Sequence, residues 1–409
     1  MTTPRPRIQG KELPSVLRIE EPPRAAPRGF ALWNLGFRPF YLLAAAFASL
    51  SIVLWTLEYA GWLPVPYLEA PTRHAHEMLF GFALAVIAGF LFTAVRNWTG
   101  EPTPSGAWLA AIVALWLAAR VSMIVGGPLV AGVLNAAFPV AVAIGIAIPL
   151  ARSGNRRNYF FVPLLLAAGL AALAVHLGTI GVLPWEAREA SIDLGLDVVL
   201  FVIAVVAGRV IPMFTNNAIP GAGATRKPWL EKAALAGVLA VVAADLLRAP
   251  PAILAPLAIV VAIAHAARLF LWHPWRTTRT PLVWVLHAAY AWIPVHLALR
   301  ACAALGLIAP QFAIHALTIG AIGGMTIGMM TRTARGHTAR PLRADAWEVA
   351  CYALIQAAAV IRVLGGLAWR EGYVWTVLAS GACWSLAFGI YAVRYWPILS
   401  RPRLDGKPG

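Results

Sequence analysis

Long apolar runs alternate with short polar segments along the chain. A helix needs about 20 apolar residues to cross a bilayer core of roughly 30 Å. Runs of that length lie near residues 36–57, 74–95, 105–122, 128–150, 158–180, 189–213, 229–247, 250–271, 281–303, 309–331, 343–363 and 372–395. The pattern predicts an all-α membrane protein, a polytopic bundle of about 12 transmembrane helices.

The segments between and around these runs indicate the domain organisation. The loops are no longer than about fifteen residues, so residues 36–396 are expected to form a single transmembrane domain without a soluble module. Residues 1–35 are rich in Pro and Arg and contain no apolar core, which predicts a disordered cytoplasmic tail. Residues 397–409 are expected to form a second cytoplasmic tail.

Composition and charge agree with a membrane protein. Of the 409 residues, 60% are hydrophobic and 12% are charged, and the formal net charge is +16. The Lys and Arg residues fall mainly in alternate loops, which is the positive-inside pattern and predicts that both termini are cytoplasmic. The excess positive charge therefore indicates the lipid bilayer, rather than nucleic acid, as the partner.

The second span is echoed by the tenth at a constant offset. The matched pairs are His76 with His315, Gly81 with Gly320, Ala85 with Gly324, Gly89 with Gly328, Arg96 with Arg335 and Thr99 with Thr338. Both spans are predicted to run from outside to inside, so both histidines enter from the same face. Small residues at every fourth position favour close helix packing, and at about 100° per residue each histidine points away from that stripe.

Histidines gather in the outer half of the predicted bundle, where neutral imidazole is a common ligand of haem iron or copper. The repeat favours His76 and His315 as axial ligands. His74 or His296 is a candidate copper ligand. The alternative is that these are structural histidines of a helix bundle. His74 lies about 200° from His76 on a helix, so either one binds and the other orients it, or they serve different centres.

Charged side chains inside the spans are a second candidate set, because burying a charge in a bilayer is costly. Asp193, Asp197 and Asp245 lie in the outer half and could orient a ligating histidine, carry protons or pair with an arginine. Glu77 is a proton acceptor or a favourable charge at a helix N-terminus. Arg209 either extends its head group to the inner surface or holds an anionic group such as a haem propionate.

Seven short motifs together carry a resemblance to a known family. They are Phe37 to Phe40, His74 to Gly81, Arg96 to Gly100, Gly208 to Thr215, Trp284 to Trp292, His315 to Gly320 and Gly336 to Thr338. Through these motifs, which cover about residues 35–345, the chain resembles the NnrS family of bacterial inner-membrane proteins. The family's histidines map onto His74, His76, His287, His315 and His337, which the resemblance implies as cofactor-binding residues.

The resemblance implies a haem- and copper-containing membrane protein linked to denitrification and to defence against nitric oxide and nitrosative stress. The expected small-molecule partner is nitric oxide or a related nitrogen oxide, together with an electron donor that the sequence does not identify. Oxidoreductase activity on nitrogen oxides is one interpretation. The expected location is the bacterial inner membrane.

The predicted plan is also distantly similar to the catalytic subunit of haem-copper oxidases, which has twelve spans and haem-ligating histidines on the second and tenth. Asp197 and Asp245 stand on the sixth and seventh spans, where those oxidases carry copper-ligating histidines, so dioxygen reduction is not expected. Two alternative functions remain. One is a secondary transporter with twelve helices, and the other is a protein that stores or delivers haem or copper.

Overall fold

The computed structural model describes residues 29–63 and 68–407, and no strand occurs in either segment. Residues 1–28, which make up most of the predicted cytoplasmic tail, lie outside the described residues. Twelve long helices follow one another along the described chain. They are α1 (Phe37–Tyr59), α2 (Ala70–Thr99), α3 (Gly106–Val125), α4 (Pro128–Ser153), α5 (Phe161–Thr179), α6 (Trp185–Ala218), α7 (Pro228–Leu246), α8 (Pro251–Leu271), α9 (Pro281–Ala304), α10 (Pro310–His337), α11 (Ala346–Ala368) and α12 (Tyr373–Ser400).

Eleven of these twelve helices are long and apolar enough to cross a membrane. The exception is α7, because Glu231, Lys232 and Asp245 place three charges within its 19 residues. Two of those charges are paired inside the bundle: Glu231 lies 2.9 Å from Arg268 of α8, and Asp245 contacts Arg300 of α9. The prediction of an all-α polytopic membrane bundle is confirmed.

Helix boundaries follow from proline, glycine and one capping motif. Proline stands in the first turn of α2, α4, α7, α8, α9 and α10, where its missing N–H would have had no helical partner. Gly100 and Gly154 end α2 and α4 with φ of 73° and 65°, which glycine adopts without strain. At the start of α11, Asp345 and Glu348 form a capping box that satisfies free backbone N–H groups.

The start of α1 and the end of α12 meet at one face of the bundle, which we call the terminal face. The N–H of Ala31 donates to the carbonyl of Ser400 (2.8 Å), and the Arg38 guanidinium donates to the carbonyls of Leu399 (2.9 Å) and Arg401 (2.8 Å). The helices alternate in direction, so α2 and α10 both begin at the opposite face, which we call the distal face. The repeated spans therefore run in the same direction, as expected.

The centre of the bundle is formed by α2 and α10. Within their apolar windows 83% and 78% of the residues are buried, against 39% in α1 and in α12. Both helices contain a π-helical segment, Glu77–Ala83 in α2 and Ala316–Gly323 in α10. A third π-helical segment, Ile361–Gly365, lies in α11. The two repeated spans are thus the core against which the other helices pack.

The small-residue stripes of α2 and α10 are packing surfaces. A Cβ added to Gly89 would lie 3.0 Å from Tyr41 of α1. In α10, a Cβ at Gly320 would overlap the indole ring of Trp292 on α9. Helix backbones can approach this closely only where the side chain is absent.

We expect Gly320→Ala to lower the free energy of unfolding by about 1–3 kcal/mol, because the added methyl overpacks this contact. The Trp292 ring cannot move away without losing its hydrogen bond to Gln356 (2.9 Å). Thermal unfolding of the purified protein in detergent measures the effect. Gly336→Ala is the matched control on α10, since its Cβ would meet Leu342 at 3.8 Å. An unfolding temperature for Gly320→Ala equal to that of wild type would contradict the packing role.

Candidate functional site

The π-helical segments begin immediately after the two repeated histidines. Glu77–Ala83 follows His76, and Ala316–Gly323 follows His315. A π-helix makes i→i+5 hydrogen bonds and is frequent at functional sites. The directions expected at about 100° per residue assume a regular α-helix. At these positions, contacts rather than helical phase decide where each histidine points.

His76 is completely buried and faces α5. Its Nε2 lies 3.1 Å from Nε2 of His176, and the two ring centres are 4.8 Å apart with an angle of 77° between the planes. Its Nδ1 lies 3.3 Å from Oε1 of Glu77. With the carboxylate accepting the Nδ1 proton, Nε2 keeps the lone pair that a metal would use.

A buried ion pair holds Glu77 in this position. Oε1 of Glu77 accepts a hydrogen bond from Nη1 of Arg120 on α3 (2.6 Å), and Nη2 of Arg120 donates to Oδ1 of Asn135 on α4. Arg120 fits there because Gly81 has no side chain, since a Cβ would lie 2.5 Å from Nη1. The chain of contacts from His176 to Asn135 ties α2 to α3, α4 and α5.

A second group of polar side chains surrounds His74 and His315. The ring of His74 packs on the indole of Trp55 at 4.5 Å, and Arg362 is within electrostatic range. Nδ1 of His315 donates to the carbonyl of Gln311 (2.6 Å), and both His74 and Arg362 are within electrostatic range of this ring. His315 therefore lies within electrostatic range of His74. The assignment of His76 and His315 as axial ligands of haem stays a prediction.

A cleft of about 210 Å³ opens between α1, α2 and α3 beside His74. Its rim includes the exposed apolar side chains of Leu50, Leu54, Val121 and Ile124. Its polar lining consists of Ser51, Trp55, Arg73, His74, Glu77 and Arg120. Oγ of Ser51, Nε1 of Trp55 and Nε of Arg120 are buried and find no hydrogen-bond partner in the described part of the chain. The interior of the cleft thus suits a ligand that accepts hydrogen bonds.

The three predicted intramembrane aspartates gather around Arg300 of α9. Asp197 lies 3.6 Å from Nη1 of Arg300, Asp245 contacts Nη2, and Asp193 is within electrostatic range. Of the roles open to these carboxylates, pairing with an arginine is the one that the contacts favour. They form a separate cluster on α6, α7 and α9.

His296 and His287 both lie on α9, and His296 reaches the backbone of α10 close to His315. Nδ1 of His296 lies 2.8 Å from the carbonyl of Ala313, while its Nε2 has no partner among the residues described. His287 is closer to the terminal face, where its Nδ1 lies 3.1 Å from the carbonyl of Val283. Each ring is thus anchored by a backbone carbonyl.

His337 and Arg209 lie near the terminal face. The ring of His337 packs against Phe37 with 5.6 Å between centres. Nη1 of Arg209 donates to Oδ1 of Asn158 (2.7 Å), and its guanidinium lies 5.7 Å from the centre of the Phe160 ring. Both side chains are therefore held by other protein groups, far along the bundle from His76.

Two histidine nitrogens are the largest donor set that the structure offers to a metal at the distal face. Within residues 29–63 and 68–407, no three His, Cys, Asp or Glu residues come together in a group that could hold a metal ion. His76 and His176 are at a distance that two ligands of one metal can have. They are therefore the best candidate metal site in the described chain.

His176, Trp55 and Arg120 are site residues that the sequence analysis did not select. Arg120 and Asn135 are polar residues inside apolar spans, which is the signal that could have selected them. Their pairing with Glu77 depends on three helices and has no local pattern.

The model of the family described as NnrS protein matches residues 31–403. The match therefore includes both repeated spans and every residue of the two histidine groups. No curated protein matches the chain.

The distal half should lose stability when Arg120 is removed. Arg120→Met leaves the Glu77 carboxylate buried without its cation, so we expect the free energy of unfolding to fall by about 3–5 kcal/mol. The double variant Glu77→Gln with Arg120→Met should cost less than the sum of the single changes. Equilibrium unfolding in detergent measures all three variants.

Arg188→Met is the control, because its partner Glu69 lies 4.0 Å away and is mostly exposed. Its loss should cost at most about 1 kcal/mol. Strictly additive losses at Glu77 and Arg120 would show that the two charges do not depend on each other.

Proposed function

Because the chain belongs to the NnrS family, we propose that it is a nitric-oxide-related membrane protein that binds a redox metal in the distal half of its bundle. The proposed metal is copper, with His76 and His176 as ligands. Haem is the second proposed cofactor, with His315 and His74 as its histidines. A redox reaction of nitric oxide or a related nitrogen oxide is the activity that such a centre would support.

The observation that carries the copper proposal is the 3.1 Å separation of the two Nε2 atoms of His76 and His176. With metal–nitrogen bonds of about 2.0–2.1 Å, two ligands at this separation subtend about 100° at the metal. That angle suits neighbouring ligands of a tetrahedral or square arrangement, and imidazole is a suitable ligand for copper. Ligands on opposite sides of one metal would need about 4 Å between the nitrogens.

Glu77 and Arg120 give His76 the surroundings of a metal ligand. Metal-bound histidines usually donate their other N–H to a carboxylate or carbonyl, and Nδ1 of His76 faces Oε1 of Glu77 at 3.3 Å. Nη1 of Arg120 donates to that carboxylate at 2.6 Å. The ion pair therefore fixes the orientation of the His76 ring through its Nδ1. Bound copper would supply a centre that binds nitric oxide and changes oxidation state.

The cleft between α1, α2 and α3 reaches Glu77 and Arg120, the two residues that position His76. Nitric oxide is small and dissolves in lipid, and the rim of the cleft is apolar. Glu77 and Arg120 line its interior and also hold His76. A small molecule entering from the bilayer would therefore meet the groups that position the proposed ligand.

The side chains near His315 suit the ligation of a haem, but the volume of the neighbouring cleft is small for one. Because Nδ1 of His315 donates to the Gln311 carbonyl (2.6 Å), its Nε2 would be available to iron. Nε1 of Trp55 and Nη1 of Arg362, both buried and without a partner in the described structure, suit the carboxylates of a haem. The cleft of about 210 Å³ is smaller than the roughly 300–1,000 Å³ usual for larger ligands. No step of a reaction is therefore assigned to haem.

A copper-storage or copper-delivery protein is the second candidate. Two nitrogen donors, rather than three or more, are what the described residues provide at one place. A site with few protein ligands would release its metal to a partner more readily than a closed one. Turnover of nitric oxide distinguishes this candidate from a redox enzyme.

Copper binding should depend on the His76–His176 pair. We expect His76→Ala and His176→Ala to lose bound copper, and Glu77→Gln to weaken binding by about 10–100-fold because it orients the ligand less well. Chelator competition followed by metal analysis of the full chain measures this. The control is His273→Asn, because His273 lies in a loop with φ of 54°, which asparagine tolerates. Unchanged copper affinity in His76→Ala would exclude this site.

The haem proposal predicts an optical spectrum. The purified protein, produced with haem supplied, should absorb in its oxidised and reduced forms, and His315→Ala should bleach or shift that spectrum while His273→Asn should not. Absence of haem absorbance would remove haem from the proposal and leave copper. Membranes with wild type, but not with His76→Ala, should consume nitric oxide if the protein is an enzyme. Copper without consumption would favour storage or delivery.

A further inference from the structure

Three polar side chains form a line on one face of α11 that the proposed metal site does not use. Glu348, Tyr352 and Gln356 are spaced by four residues, so they lie one above another along the helix. They extend over about 12 Å, from the terminal face toward the middle of the membrane. Glu348 is 4% exposed and Tyr352 is fully buried, so the line runs through the interior.

The lower end of the line opens at the terminal face. Oε2 of Glu348 accepts from the N–H of Asp345 (2.8 Å), and Oε1 accepts from Nε of Arg335 (2.7 Å) and from the hydroxyl of Tyr395. Asp345 is partly exposed and lies 2.7 Å from Arg394. Slight burial raises the pKa of Asp345, but the hydrogen bond from the Glu348 backbone N–H and the charge of Arg394 outweigh it and lower that pKa below its usual value. An ionised carboxylate therefore stands at the entrance.

A small cavity lies beside Glu348, and two tyrosines form part of its lining. Its volume is about 10 Å³, which is the space that one water molecule needs. Tyr391 and Tyr395 both line it, and their rings stack at 4.1 Å with 10° between the planes. The hydroxyl of Tyr391 is buried and finds no hydrogen-bond partner within the described chain. A water in the cavity would supply that partner.

Tyr352 continues the line toward the middle of the membrane. Its hydroxyl lies beside Thr331 of α10 and within electrostatic range of Tyr391. The hydroxyl of Thr331 donates to the carbonyl of Ile327 (2.7 Å), so its oxygen can still accept a hydrogen bond. The two hydroxyls therefore connect the cavity to the next turn of α11.

Gln356 is the upper end of the line. Its Oε1 accepts from Nε1 of Trp292 (2.9 Å), whereas its Nε2 is buried with no partner among the described residues. Gly324 makes room for it, since a Cβ there would lie 2.9 Å from that Nε2. Trp292 packs against Gly320, which belongs to the π-helical segment that follows His315. The line thus ends beside the π-helical segment Ala316–Gly323, which follows His315.

We propose that these side chains and water molecules between them conduct protons from the terminal face to the π-helical segment Ala316–Gly323 of α10. A buried polar group without a partner costs about 1–3 kcal/mol, and native proteins usually satisfy such groups with ordered water. Protonated carboxyl and phenol groups both donate and accept hydrogen bonds, so they can pass a proton along a file of waters. Arg335 and Arg394 are the charged groups that face this entrance from α10 and α12.

The use of these protons rests on the proposed function, because reduction of nitric oxide at a metal in the distal half, with electrons from a separate donor, consumes protons. The pathway itself requires no metal. The competing explanation is a purely structural network, in which the tyrosine hydroxyls are dry. The two explanations differ in how fast those hydroxyls exchange with solvent.

Exchange of tyrosine hydroxyl protons in deuterated water tests the pathway in the full chain in lipid nanodiscs. Carbon-13 at the ring carbon that bears the hydroxyl reports deuteration by NMR, and Tyr→Phe variants assign each signal. We expect Tyr352 and Tyr391 to exchange at least about tenfold faster than Tyr290, because a dry hydroxyl exchanges only through local opening. Tyr290 is the matched control, since it is fully buried and bonded to His265 (2.6 Å) and Arg268 (2.7 Å).

Two variants test the entrance. Glu348→Leu should slow the exchange of Tyr352 and Tyr391 to the rate of Tyr290, and Glu348→Gln should slow it less. If Glu348→Leu does not fold, Cys351→Leu serves instead, because Cys351 lines the cavity and a larger apolar side chain would displace its water. The proposal is overturned if the hydroxyls of Tyr352 and Tyr391 exchange as slowly as that of Tyr290 in wild type. It is also overturned if they still exchange fast in Glu348→Leu or Cys351→Leu. Fast exchange in a protein that binds neither copper nor haem would refute the proposed function and leave the pathway standing.

Discussion

The distal half of the bundle depends on the ion pair between Glu77 and Arg120. The two residues are 9% and 7% exposed, and charges moved from water into an apolar interior are costly unless they are paired and hydrogen-bonded. This pair satisfies both charges while joining α2 to α3, and its contacts reach α4 through Asn135 and α5 through His76. The positions of the histidine nitrogens are therefore set by directional polar contacts. Apolar packing alone would tolerate small shifts.

Much of the fold could be predicted from the sequence, because bilayer thickness sets the length of each apolar run. The start of α1 and the end of α12 lie at the same face, and the cytoplasmic location of both termini stays a prediction. The limit is visible at α7, whose apolar run contains Glu231 and Asp245. Whether such a helix joins the bundle depends on cations elsewhere in the chain, here Arg268 and Arg300.

The candidate site was predictable only in part. Its location at one face followed from the depth of the histidines, but the partner of His76 did not. His176 lies 100 residues away on α5, and no periodic pattern connects two positions on different helices. The π-helical turn after His76 also changes the direction of every later side chain, so a rotation of about 100° per residue no longer applies. Contacts between helices, rather than residue types along one helix, define the site.

The π-helical segments also record how the two central helices are related. A π turn contains one residue more than an α turn, so a turn widened in one copy alone would shift all later matches by one position. The matches keep one offset from His76 and His315, before the segments, to Gly89 and Gly328, after them. Both copies therefore carry the same extra residue at the same place. The widened turn is therefore common to both repeated spans, although the contacts around His76 differ from those around His315.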